Sequence, residues 1–176
     1  MLVETYELEV FSPPCDPGSE RWSAFAQLSQ DISEALPYLN DLWKNAIYDH
    51  ENHILTLVRG GRRYSLRPLQ IAISNLEDRD EAQRIAERVI EEVNRAWDRR
   101  HEIVQNYEKR RQPTVMEIYK LLPTGNCRQC GEATCFIFAT KLIARQTDLH
   151  RCVRLFEPEF VGHRSRLEQL LGLSDE

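Results

Sequence analysis

No stretch of this sequence approaches the roughly 18 consecutive apolar residues that a membrane-spanning helix needs. No membrane partner is therefore expected. The first ten residues, MLVETYELEV, carry acids at 4, 7 and 9 and lack the basic-then-apolar layout of a secretory leader. The expectation is a cytoplasmic chain. GxGxxG, a P-loop, HExxH and a Ser/His/Asp constellation are all missing. Without them a catalytic centre has no support, and a carrier or accessory role is expected in place of an enzyme. Internal repeats and low-complexity tracts are missing too. Cysteine is scarce, at five in 176 residues, and a single C-x2-C pair occurs where structural zinc sites usually set two.

What is present is enough to fold. The chain is 41% hydrophobic and 29% charged, the balance of a soluble globular protein. The net charge of −5 is unevenly spread. Residues 1–60 hold 10 acids and 3 bases, whereas residues 109–156 hold 9 bases and 3 acids. A basic segment in an acidic chain serves an anionic partner or offsets anionic thiolates. By itself it does not argue for nucleic acid.

Hydrophobic periodicity gives a coarse architecture. Residues 3–11 alternate Tyr6, Leu8 and Val10 against acids and read as a strand. Trp22, Phe25, Leu28, Ile32 and Leu36 recur at three- and four-residue steps, which predicts a helix over 20–36 stopped by Pro37. Short strands are expected around 45–48, 54–59, 62–66 and 69–74, with Gly60-Gly61 turning a tight hairpin. A long amphipathic helix is expected over 78–107, carrying Ala82, Ile85, Ala86, Val89, Ile90, Val93 and Trp97. Trp22, Phe25 and Trp97 lie on apolar faces and are read as core. His101 and His163 are read as surface positions on helices, and His50 and His53 as turn residues without chemistry. The fold class is α+β: a mainly antiparallel sheet with two helices on one face, followed by a small, mostly helical domain. The boundary falls near 110, giving domains 1–110 and 111–176. Thr114 and Glu117 stand at capping-box spacing and open a short helix through Leu122.

The second segment carries the chemistry. Its cysteines follow Cys127-x2-Cys130-x4-Cys135-x16-Cys152. Residues 134–144 read as a helix, with Cys135 in its first turn, where the dipole and free N–H groups favour a thiolate. The eight steps from Ala144 to Cys152 can span up to about 26–28 Å, ample to bring the fourth cysteine back. Three ligands in a loop and one returning ligand suit the separated corners of an iron–sulfur cubane better than the two close pairs of a zinc site. Spacing alone leaves zinc and incidental cysteines open.

The stretch LLPTGNCRQCGEATCFIFATKLI, with Cys152, resembles the single-cluster [4Fe-4S] domain of pattern L-P-x-x-N-C-x-x-C-G-x-x-T-C-x-x-F-A. That domain occurs in the large subunit of the corrinoid iron–sulfur protein and in the iron–sulfur subunit of Rnf-type complexes. Leu122, Pro123, Asn126, Gly131, Thr134, Phe138 and Ala139 match besides the cysteines. The resemblance covers roughly residues 114–155. It implies one [4Fe-4S] cluster held by Cys127, Cys130, Cys135 and Cys152. Two departures are Ala144-Arg145-Gln146, where such domains often carry glycine, and Val153, where they often carry proline.

The expected function is one-electron transfer to a redox partner, namely a ferredoxin, a corrinoid protein or an anaerobic oxidoreductase. The first domain would recognise that partner and could also form a homodimer. The alternative is a binding or adaptor protein whose cluster, or zinc, is structural. Arg128, Lys141, Arg145, Arg151 and Arg154 surround the cysteines in sequence and could offset cluster charge. His150 is read as an exposed turn residue, and Cys15 as an unpaired loop cysteine.

Overall fold

A computed structural model of the chain describes residues 1–12, 21–144 and 146–173, so Cys15 and Arg145 lie outside the described residues. The chain divides into two compact units, Met1–Arg110 and Arg111–Glu176. Its class is α+β.

The first unit is built on six strands: β1 (Tyr6–Phe11), β2 (Trp22–Leu28), β3 (Ile47–Asp49), β4 (Ile54–Arg59), β5 (Arg62–Arg67) and β6 (Gln70–Leu76). They form one antiparallel sheet in the order β1-β2-β6-β5-β4-β3. The register lines up apolar residues across it. Leu8, Ala26, Ile71, Leu66, Leu55 and Tyr48 form one row from edge to edge. Directly paired residues share a face, and all of this row except half-buried Leu8 is buried. Helix α1 (Leu36–Leu42) lies against β3 and β4, and α2 (Arg79–Asp98) against β1, β2 and β6. Gly60 and Gly61 both have positive φ, +56° and +74°, and join β4 to β5 as a two-residue turn. Only glycine takes both conformations without a steric cost, and the strand twist requires them.

Two helix expectations fail, each for a tertiary reason. Residues 22–28 are a strand. Ala24, Ala26 and Leu28 face the core, while Phe25 and Gln27 are exposed. The segment fits both periods, and cross-strand hydrogen bonds on both sides decide for the strand. Phe25 is accordingly not core; it meets Phe11 on the outer face, ring centroids 4.8 Å apart. Trp22 and Trp97 are half-buried. Pro37 starts α1 instead of stopping a helix, because its missing N–H costs nothing in a first turn.

Helix α2 ends at Asp98, not near 107, and exposed His101 lies beyond it. The chain after it turns back over α1. Asn106 donates its N–H to the Pro37 carbonyl at 3.1 Å. Buried Asn40 donates to the carbonyls of Asn106 (2.8 Å) and Glu108 (3.1 Å), and its own oxygen accepts from Arg110 at 2.8 Å. A buried amide left unpaired would cost about 1–3 kcal/mol, and this satisfied network ties residues 106–110 to α1.

The second unit contains α3 (Val115–Tyr119), α4 (Cys135–Ile143) and α5 (Val161–Leu171), with short 3-10 turns between α4 and α5. Thr114 and Glu117 form a reciprocal capping box at the start of α3. That helix closes at Tyr119, three residues before Leu122. Ile118, Leu122, Phe138, Ala139, Leu142, Leu149, Leu155, Leu167 and Leu171 make an apolar core that belongs to this unit. Among the described residues no helix is long and apolar enough to cross a membrane.

Candidate metal centre

The loop between α3 and α4 has an unusual backbone. Thr124, Asn126 and Arg128 have φ of +45°, +47° and +61°, and Gly131 has +85°. Five described non-glycine residues are left-handed, and three of them fall within residues 124–128. Each costs roughly 1–2 kcal/mol, and such strain gathers where the chain must hold a particular shape for function. Alternating left-handed residues are also the habit of backbone nests, which turn amide N–H groups toward an anion.

Asn126 does more than turn the chain. Its side-chain oxygen accepts the N–H of Cys135 at 2.8 Å, tying the loop to the start of α4. Thr134 caps that helix, its hydroxyl accepting the N–H of Ile137 at 3.2 Å. Cys135 thus stands in the first turn, and Phe138, Ala139 and Leu142 form the buried face. The expectation of several free N–H groups there needs trimming, since Asn126 and Thr134 occupy two of them. In sequence Asn126 is only a position that matches the cluster-domain pattern, because the partner of an amide nine residues away is a tertiary fact.

After α4 the chain returns through a 3-10 turn to Cys152. Cys127, Cys130, Cys135 and Cys152 all line one small cavity, together with Asn126 and Arg154. None of the four is in a disulfide. Cys127 is exposed, Cys130 and Cys135 are half-buried, and Cys152 is 7% exposed and sits in the apolar core. That burial pushes the Cys152 thiol up from its ordinary pKa. A metal would have to displace its proton on binding. Among the described residues no three His, Cys, Asp or Glu side chains close on one point as a single-ion site does.

The basic residues divide. Lys141 is committed to Glu132 at 2.8 Å. Arg154 lines the cavity and lies over Gly125, where an added Cβ would clash with its guanidinium. It reaches Glu157 at a long 3.9 Å. A guanidinium nitrogen of Arg151 would stand 3.6 Å from a Cβ built on Gly131. His150 is exposed, stacked on Phe156 with centroids 5.0 Å apart, and its Nδ1 is 2.7 Å from Asp148. The place of Arg154 had no signal in sequence beyond its nearness to Cys152.

Comparison with known proteins bears on the same segment. Residues 122–154 match the family model described as "Putative Fe-S cluster". A 61-residue segment is 47% identical to the acetyl-CoA decarbonylase/synthase complex subunit gamma of Methanothermobacter thermautotrophicus, covering 35% of this chain and 12% of that protein. The subunit of the same name from Methanocaldococcus jannaschii is 38% identical over 59 residues, 34% of this chain and 12% of its own length. Subunit gamma 2 of Methanosarcina thermophila is 47% identical over 58 residues, 32% and 12%. The matched segment thus spans about an eighth of each of these relatives. No solved structure matches. Residues 122–154 form an iron–sulfur cluster domain.

Proposed function

We propose that this chain is a carrier of single electrons in which Cys127, Cys130, Cys135 and Cys152 hold one [4Fe-4S] cluster. The observation that supports it best is the common cavity lined by all four cysteines, lying within the segment that matches an iron–sulfur model. The donor set fits: four unpaired cysteines, a strained loop of nest-like backbone and a helix start. Such a cluster, when bound, supplies a site that moves between adjacent oxidation states.

The chain's own residues do the rest. Asn126 holds the loop against α4, and Arg154 and Arg151 place positive charge beside it. Four cysteines for four irons leave no open corner for substrate, which favours a carrier over an enzyme. The relatives are subunits of an enzyme complex by name. By that likeness this chain serves a protein partner, of corrinoid, ferredoxin or oxidoreductase type. Residues 111–176 would be the cluster domain, and residues 1–110 would recognise the partner.

A second reading has one specific observation in its favour. Cys152 is part of the apolar core of its unit, so a metal held there would also pin the fold. In that case the centre is structural and the chain is an adaptor.

Anaerobic purification separates the readings. The carrier should contain about four iron and four sulfide per chain, absorb broadly in the blue and bleach reversibly with dithionite. Cys152→Ser should lose most of that iron. Stoichiometric zinc without sulfide, or a cluster that cannot be reduced, would remove electron transfer and leave the adaptor.

A further inference from the structure

The first unit holds a cleft of about 470 Å³ that is unrelated to the cysteines. It is a product of the turn-back after α2, and its rim is one continuous run of contacts. The Tyr48 hydroxyl and His50 Nδ1 are 3.2 Å apart. The His50 ring meets Tyr107 edge-on at 4.7 Å and His53 at 5.5 Å. Tyr107 donates its hydroxyl to Gln105 at 3.1 Å, and Gln105 donates to the Tyr38 hydroxyl at 2.9 Å. Tyr38 meets Trp97 at 6.5 Å, and the Arg100 guanidinium lies 4.5 Å over the Trp97 ring. His53 is itself left-handed, with φ +51°.

The chemistry of this rim is selective. Its walls are aromatic, while Arg100, His50 and His53 can each donate charged or polar hydrogen bonds. Among the described lining residues the only carboxylate is Glu34. The tyrosine hydroxyls and Gln105 are largely satisfied by one another, so they shape the cleft more than they await a ligand. Arg100 spends one N–H on the Trp97 carbonyl at 2.8 Å and keeps the rest of its fork. The volume falls in the range of about 300–1,000 Å³ typical of small-molecule sites. A polyphosphate would call for more cations than this, and an aliphatic acid would leave the ring walls unused.

We infer that this cleft binds a small planar aromatic carboxylate, with its ring among Tyr38, Trp97, Tyr107 and His50 and its carboxylate toward Arg100 and the two histidines. The site stands whether or not the cysteines hold a cluster.

The test is titration of the full chain with 1-naphthoate, followed by calorimetry and by the indole and imidazole proton resonances. One-to-one saturable binding is expected, with shifts at Trp97, His50 and His53. Neutral 1-naphthalenemethanol should bind about tenfold more weakly or worse, as should 1-naphthoate to Arg100→Gln. If Arg100→Gln unfolds the unit, His53→Ala, an exposed position, carries the comparison and should weaken naphthoate but not the alcohol. Absence of saturable binding, equal affinity for acid and alcohol, or unchanged naphthoate affinity in the folded variant would overturn the inference.

Discussion

Arg154 shows how one side chain can matter beside a metal centre without touching the backbone fold. It lines the cysteine cavity and rests over Gly125, while its bond to Glu157 is long. A positive charge near a cluster makes the added electron more favourable. A unit charge at about 4 Å in water-like surroundings is worth about 1 kcal/mol, which for one electron is about 43 mV. Arg154→Gln should lower the midpoint potential by that order with iron and sulfide content unchanged. Gly125→Ala should act in the same direction, because its methyl group displaces the flexible end of Arg154. Anaerobic spectroelectrochemistry reads both, and a potential unmoved in each would assign Arg154 to plain surface charge. Four cysteines at distinctive spacing marked the candidate centre in one dimension, and the folded chain brings them to one cavity. The roles of Asn126 and Arg154 were not legible there, since each acts on a residue the spacing does not connect to it.

Helix α3 is five residues long, too short to persist on propensity, so its cap carries disproportionate weight. Glu117 accepts from Arg111 at 2.9 Å, from the Thr114 N–H at 2.8 Å and from the Thr114 hydroxyl at 2.9 Å. The Arg111 guanidinium first, and Thr114 second, hold its carboxyl well below the usual carboxylate range. A folded-state pKa below the unfolded one contributes stability that is full above the unfolded value, near 4.3, and fades as pH falls toward the folded value. Residues 111–176 should therefore lose stability in acid below about pH 4.3, and Glu117→Gln should flatten that slope in a thermal-melt series. Thr114→Ala should cost about 0.5–2 kcal/mol at neutral pH. This cap was readable from four letters because both its partners are local. Strand β2 was not: Trp22, Phe25 and Leu28 fit a helical period, and only the flanking strands β1 and β6 show which period the chain uses.

Across the molecule, the two units have separate apolar cores, one on the sheet of residues 1–110 and one that includes Cys152. Because the second core includes Cys152, removing the metal centre by chelation should lower the melting transition of residues 111–176. Calorimetry of holo and metal-stripped protein checks this, and a transition unmoved by stripping would contradict it. The grouping of the four cysteines that share one cavity, the hairpin at Gly60-Gly61 and the capping box could all be read from the order of residues alone. Each depends on neighbours a few positions apart, where periodicity and turn chemistry act directly. The strand at 22–28, the early end of α2, the lock on Asn40 and the aromatic cleft at His50 came into view only with the folded chain. Each rests on hydrogen bonds or packing between residues far apart in sequence, and those energies outweigh local preference.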